Sequence, residues 1–181
     1  MTYVVRLPEV LRWSDFVKTE GKQRDPHDKQ EIVALTRFRF TFPNEGFRPV
    51  TDAGKRKLVF TDKFKLTIRP VAKVWKGLDV TDSTSDAILA HEQIHYLFGF
   101  VTARALMNEL LSLQVANDRL LKQHMGSALD LHLITRAKAL NENYDDDTEH
   151  GHNATLQRKW QAAMKDCLAD PDATDLMGMP L

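Results

Sequence analysis

The sequence predicts an α+β fold, with an antiparallel-rich sheet in the N-terminal half and helices in the C-terminal half, and three observations lead to it. From Gln30 to Phe42, Ile32, Ala34, Thr36, Phe38, Phe40 and Phe42 alternate with residues that include Arg37 and Arg39, a period of two that belongs to a strand. From Asp86 to about Met107 the chain is a run of strong helix formers with apolar residues spaced near 3.6. Further helical stretches follow, from about Asp118 to Leu140 and from about Asn153 to Leu168.

The remaining elements follow in order. Phe64, Leu66 and Ile68 alternate with Lys63, Lys65 and Thr67, and Pro70 is expected to end that strand or hold it at a sheet edge before Val71–Trp75 resumes. Pro43-Asn44-Glu45-Gly46 reads as a turn and Thr51–Lys57 as an exposed loop, its Lys55-Arg56-Lys57 cluster a solvated tip. Asp82, Ser83, Thr84 and Ser85 supply N-cap candidates for the first helix. Asn141–Gly151 lacks apolar periodicity and reads as a polar loop. The organisation is a single domain over 1–181, sheet-rich over 1–80, helical over 81–170, with a short tail over 171–181.

Composition removes several function classes. Lys plus Arg (25) balances Asp plus Glu (25) in a chain of 181 residues, which argues against nucleic acid as a partner. The apolar runs fall far short of the roughly 20 residues needed to cross a bilayer, so no membrane partner is expected. The opening Met-Thr-Tyr-Val-Val-Arg-Leu-Pro-Glu-Val lacks the features of a secretory leader, which points to the cytoplasm, with a secreted or periplasmic location as the alternative if a leader has been removed. Cys167 is the single cysteine, so any metal must be held by histidine and carboxylate, and Cys167 itself reads as a small packed residue.

His91-Glu92-Gln93-Ile94-His95 is the segment that carries chemistry. On a helix, residues four apart stand one above the other about 6 Å along the axis, so both imidazoles can converge on one tetrahedral zinc. Glu92 lies about 100° round the helix, within reach of a water on the metal, and is the expected general base. Catalytic zinc takes three protein ligands as a rule, so a third must come from elsewhere. A histidine at 101 would complete one known extension of the motif, but Val101 stands there. Glu109, 18 residues beyond His91, would sit roughly 27 Å away on a continuous helix and reads as a surface charge. His150, beside Gly151 in the polar stretch, is the preferred third ligand, with Glu149, His152 and Asp146 as alternatives.

Four segments together resemble a bacterial family of unknown function described as predicted secreted zinc-dependent proteases. They are Trp13-Ser14-Asp15-Phe16, the HEQIH pentapeptide with Arg104 downstream, Tyr144-Asp145-Asp146-Asp147-Thr148-Glu149-His150-Gly151, and Gln157-Arg158-Lys159-Trp160. The resemblance spans most of the chain. It departs from the family pattern at Ile94, where glycine is usual, and in the lack of a secretion signal.

The resemblance singles out Tyr144 and Thr148. Tyr144 is a candidate oxyanion donor, with packing of the loop as the alternative, and Thr148 has helix capping as its alternative. Asp145, Asp146 and Asp147 are candidates to orient a ligating imidazole or simply to be solvated. Arg104 falls off the ligand face and is expected in a structural salt bridge. Trp13, Trp75 and Trp160 read as core aromatics, with Trp75 also placed to border a cleft. His27, His124 and His132 read as ordinary.

The expected function is a zinc metallopeptidase of zincin-like layout acting on a peptide or protein substrate, held along Val71–Trp75 by strand addition. The alternatives are a zinc-binding protein without turnover and a zinc hydrolase of a non-peptide amide bond.

Overall fold

The computed structural model describes residues 10–181. Of the opening segment that bears on a leader, 1–10, only Val10 lies within the described residues. No described helix is long and apolar enough to cross a membrane.

The described chain is α+β in the order expected. β1 (Phe16–Thr19), β2 (Gln23–Arg24), β3 (Glu31–Ile32), β4 (Ala34–Thr41), β5 (Phe47–Asp52), β6 (Lys55–Phe60) and β7 (Thr67–Trp75) precede the helices α1 (Ser83–Ser112), α2 (Asp118–Asp130), α3 (Ala137–Thr148) and α4 (Ala154–Ala169). A small hairpin of β8 (Asp175–Leu176) and β9 (Met179–Pro180) closes the chain.

The main sheet has the order β1-β7-β4, with β1 parallel and β4 antiparallel to β7, so it is mixed. This corrects two expectations. Pro70 does not divide two strands; β7 runs straight through it, opposite Phe38. Trp75 N–H donates to Val33 O at 2.8 Å, which makes odd-numbered residues of β4 the hydrogen-bonded partners of β7. Pro70 therefore occupies a position whose missing N–H points away from β4, and β1 pairs only as far back as Ala72, so no ladder bond is lost. Nor is Val71–Trp75 an edge: β7 is the central strand, and the edges of this sheet are β1 and β4.

Thr51–Lys57 is no loop but the turn of the β5–β6 hairpin, with Ala53 and Gly54 both at positive φ. Arg56 leaves the tip to pair with Asp118, Nε to Oδ1 at 2.6 Å.

α1 begins at its predicted cap, where Asp82 accepts from Thr84 N–H. It is buried on nearly every side. Ile94, Phe98 and Val101 pack toward α3 and α4; Tyr96, Phe100 and Ala103 face the main sheet; Leu106, Met107 and Leu110 meet the β5–β6 hairpin and α2. Gly99 sets its approach to β4, since a Cβ there would come within 2.8 Å of the Phe38 ring.

The largest departure concerns Asn141–Gly151. Rather than a loop, its first eight residues belong to α3, which continues from α2 through a π-helical segment at Leu131–Arg136. Ala137, Leu140, Tyr144 and Thr148 are buried at spacings of three, four and four, so the helical stripe exists beneath a surface of acids. α3 ends in three consecutive residues with positive φ, Glu149, His150 and Gly151.

Candidate metal centre

The site is built where α1 and α3 face each other, each contributing a pair one turn apart: His91 and His95 from α1, Asn141 and Asp145 from α3. His91, Glu92 and His95 are buried at 4%, 4% and 7% exposure, so none is a surface residue despite lying near the start of a long helix.

Three donor atoms converge. His91 Nε2 lies 3.1 Å from His95 Nε2, and Asp145 Oδ1 lies 3.1 Å from the first and 3.0 Å from the second. Donors about 2.0–2.1 Å from a tetrahedral zinc are about 3.3 Å from one another, close to this triangle.

The outer nitrogens decide what the inner ones can do. His91 Nδ1 faces Gln157 Oε1 at 3.1 Å and His95 Nδ1 faces Asn141 Oδ1 at 2.7 Å, and both amide oxygens only accept. Asn141 is oriented by its own donation to Ala137 O at 2.6 Å, and Gln157 Oε1 also accepts from the Tyr144 hydroxyl at 2.7 Å. Both Nδ1 atoms therefore carry hydrogen, and a neutral imidazole turns its Nε2 lone pair inward. Two lone pairs and a carboxylate oxygen repel one another unless a proton or a metal ion sits among them, so the donor set fits a metal ion that displaces a proton.

Without an ion, a proton on His95 takes that place. Burial works against an imidazolium at His95, but the charge and hydrogen bond of Asp145, with Glu92 adding to them, raise its pKa to about 9. Burial likewise opposes the Asp145 carboxylate, yet His95, His150 and His91 hold its pKa well below the ordinary range.

Glu92 Oε2 is buried and has no hydrogen-bond partner among the described residues, an unusual state for a carboxylate. A cleft of about 520 Å³ opens beside His95 and Asp145, floored by Leu35, Thr36, Arg37 and Phe38 of β4.

Of the residues singled out from sequence, the structure brings His91, Glu92 and His95 together. His150 comes close without joining the triangle: its Nδ1 stands 3.6 Å from Asp145 Oδ1 while its Nε2 bonds Asp28 Oδ2 at 2.9 Å. The third atom of the triangle belongs to Asp145, whose expected role is only to orient an imidazole. Glu149, His152 and Asp146 are exposed.

Tyr144 is fully buried, stacked on His91 with ring centroids 4.6 Å apart and a 17° interplanar angle. Its hydroxyl is committed to Gln157 on the Nδ1 side of His91, away from the triangle, and burial pushes its pKa well up, so the candidate oxyanion donor is a packing residue. Thr148 folds back onto Tyr144 O at 2.6 Å, and Gly151 N donates to the same hydroxyl at 3.3 Å. Gly151 meets its expected purpose: it has φ +88°, and a Cβ there would sit 3.3 Å from the His91 ring.

Elsewhere, Arg104 has no carboxylate partner among the described residues. Its Nη2 donates to the buried Cys167 Sγ at 3.3 Å, in place of the salt bridge expected. His132 is buried and pairs with Glu109, Nε2 to Oε2 at 2.7 Å, and the Glu109 side chain is a partly exposed charge outside the metal centre. His27 lies within 3.4 Å of both Glu142 and Asp146, and His124 is exposed. Trp160 is a core aromatic as anticipated, tied by Nε1 to Asp147 Oδ2 at 2.9 Å.

Asn141 and Gln157 were missed. Gln157 stood in the Gln157–Trp160 segment, and the spacing of four between Asn141 and Asp145 was its own signal.

A family model described as bacterial protein of unknown function (DUF922) matches residues 15–151. No curated protein and no solved structure matches the chain.

Proposed function

The chain belongs to that bacterial family, whose description assigns no activity, and from the site itself we propose that it is a zinc-dependent hydrolase, best read as a peptidase. The observation that carries this reading is the triangle of His91 Nε2, His95 Nε2 and Asp145 Oδ1, closed to 3.0–3.1 Å with both Nδ1 atoms held by amide oxygens.

His91, His95 and Asp145 would hold the ion. Zinc bound there supplies Lewis acidity, making a water more acidic and polarising a scissile carbonyl. Glu92 is the base: it takes the proton of the attacking water on its unpartnered Oε2 and passes it to the leaving amine nitrogen. Asn141 and Gln157 fix the tautomers of the two imidazoles, and Tyr144 holds the His91 ring by stacking.

The cleft supports a peptide as the substrate. Because odd-numbered residues of β4 bond to β7, the backbone groups of Thr36 and Phe38 point to the free edge that lines the cleft. An extended chain added there would run past His95 and Asp145, with its amides satisfied by the strand. A zincin-like arrangement of sheet and helix is part of the same proposal.

The test is zinc analysis of the purified chain together with a peptide-substrate screen run with and without a chelator. About one zinc per chain or more is expected, with hydrolysis lost on chelation. Glu92→Gln should keep the metal and lose activity about 10²–10⁴-fold. Metal content unaltered by the His91→Ala, His95→Ala double substitution would overturn the site.

A further inference from the structure

A second group of donors adjoins the first. Asp25, Asp145 and His150 each offer an atom, and the three atoms lie within 4.8 Å of one another. Asp145 belongs to both groups.

Asp25 is 4% exposed. Its Oδ1 accepts from the backbone of His27 at 2.6 Å and of Asp28 at 3.2 Å, which fixes the carboxylate in a turn. Among the described residues no hydrogen bond reaches its Oδ2, and no lysine or arginine pairs with it. Two basic residues that line the same cleft are engaged elsewhere, Lys138 with Glu142 and His27 with Glu142 and Asp146. Buried carboxylates are paired or coordinate metals, because an isolated charge is costly away from water.

Three buried carboxylates, Asp25, Glu92 and Asp145, thus crowd one neighbourhood. One divalent ion among His91, His95 and Asp145 would balance two of the three carboxylate charges, leaving the third to His150 or to a second ion. His150 faces the gap, with only a 3.6 Å contact to Asp145 on its Nδ1 side. Asp25 and Asp145 both line the cleft, so a ligand between them would open onto it.

We infer that Asp25, Asp145 and His150 form a second cation site, with Asp145 bridging it to the first, and that it takes a divalent transition metal. An imidazole with two carboxylates favours zinc, cobalt or manganese over calcium or magnesium, which prefer oxygen alone. The inference rests on the zinc reading of the first site, since Asp145 is shared.

The experiment is a titration of the chelator-stripped full chain with zinc chloride, counting bound metal by native mass spectrometry and atomic emission. The parent should bind two ions, the second more weakly, and Asp25→Asn and His150→Gln should each bind one. Cobalt substitution of the parent should give two magnetically coupled ions, a signature lost in both variants. Circular dichroism melts identify a variant that fails to fold, in which case the other variant and the parent's cobalt signature decide.

One ion in the parent, unchanged in Asp25→Asn and His150→Gln, would overturn the second site and leave the first standing. One ion lost in His150→Gln but kept in Asp25→Asn would place His150 in the first set, again overturning the inference. No ion in the parent would defeat both readings.

Discussion

His95 donates its Nδ1–H to Asn141 Oδ1 at 2.7 Å, and Asn141 is turned for that role by its own bond to Ala137 O. Two helices thereby meet through matched pairs one turn apart, and the acceptor on α3 determines which nitrogen of His95 faces Asp145.

Removing that acceptor should therefore act on the metal and not on the fold. Asn141→Ala is predicted to weaken zinc binding about 10–100-fold, measured by competition with a chromogenic chelator. Asn141→Asp retains an acceptor and should lose less. Affinity within two-fold of the parent in Asn141→Ala would show that the tautomer is set by something else.

Tyr144 supplies a contrast, because its hydroxyl serves Gln157 and not the reacting atoms. Tyr144→Phe should leave kcat within a few-fold of the parent, whereas loss of an oxyanion donor costs about 10²–10³. Stability should fall by about 1 kcal/mol for the lost buried hydrogen bond, read from urea melts. A hundred-fold fall in kcat with zinc still bound would restore Tyr144 to the catalytic set.

Gly151 combines two constraints, a φ of +88° and a van der Waals approach to His91. Gly151→Ala is predicted to cost more than about 1 kcal/mol, since alanine is strained where φ is positive. The methyl also presses on the His91 ring, so zinc affinity should fall with stability. A variant that loses stability but binds zinc as the parent does would show that the ring accommodates the methyl.

These predictions draw unequally on what sequence could reveal. The order of sheet and helices, the cap at Asp82 and the placing of HEQIH inside a helix were legible, because periodicity and capping are local. Asp145 as the third donor was not, because Asp145, Asp146 and Asp147 look alike as letters and only the phase of α3 distinguishes them. Asp145 follows Tyr144 on the buried face, whereas Asp146 and Asp147 are exposed, Asp147 with one carboxylate oxygen on Trp160. The stripe of Ala137, Leu140, Tyr144 and Thr148 carried that phase but was hidden by the acidic residues between its members. Pro70 misled for a related reason: whether a proline breaks a strand depends on which residues face the ladder, and the register alone decides that.

His132 gives a pH dependence with a definite sign. Burial lowers its pKa below the ordinary 6.5, with Arg136 adding to the effect and the bond to Glu109 opposing it. The unfolded chain then binds a proton at a higher pH than the folded one. The contribution is thus fully present above about pH 6.5 and is lost as pH falls toward the folded pKa. The difference in unfolding free energy between pH 7.5 and pH 5.5 should shrink in His132→Gln relative to the parent. Equal differences in the two proteins would show that His132 is not the titrating group.

The free edge of β4 yields the last prediction, because proline can separate its two faces. At Thr36 the backbone N–H points to the cleft, so Thr36→Pro removes a donor from the proposed substrate edge without removing a bond to β7. At Arg37 the N–H belongs to the β4–β7 ladder, so Arg37→Pro breaks the sheet and should destabilise the protein by about 3 kcal/mol or more. Thr36 is buried, so Thr36→Pro carries a packing cost, but it should lose less stability than Arg37→Pro and keep all of the parent's zinc. Its KM for an extended peptide should rise about 3–10-fold, the equivalent of one hydrogen bond of about 0.5–1.5 kcal/mol. kcat should change less, since Thr36 touches neither Glu92 nor the metal-binding atoms. A stable, zinc-bearing Thr36→Pro protein with unchanged KM would mean that the peptide does not lie along β4, and substrate would then have to be sought on the α3 wall of the cleft, where Ala137, Lys138 and Asn141 face it.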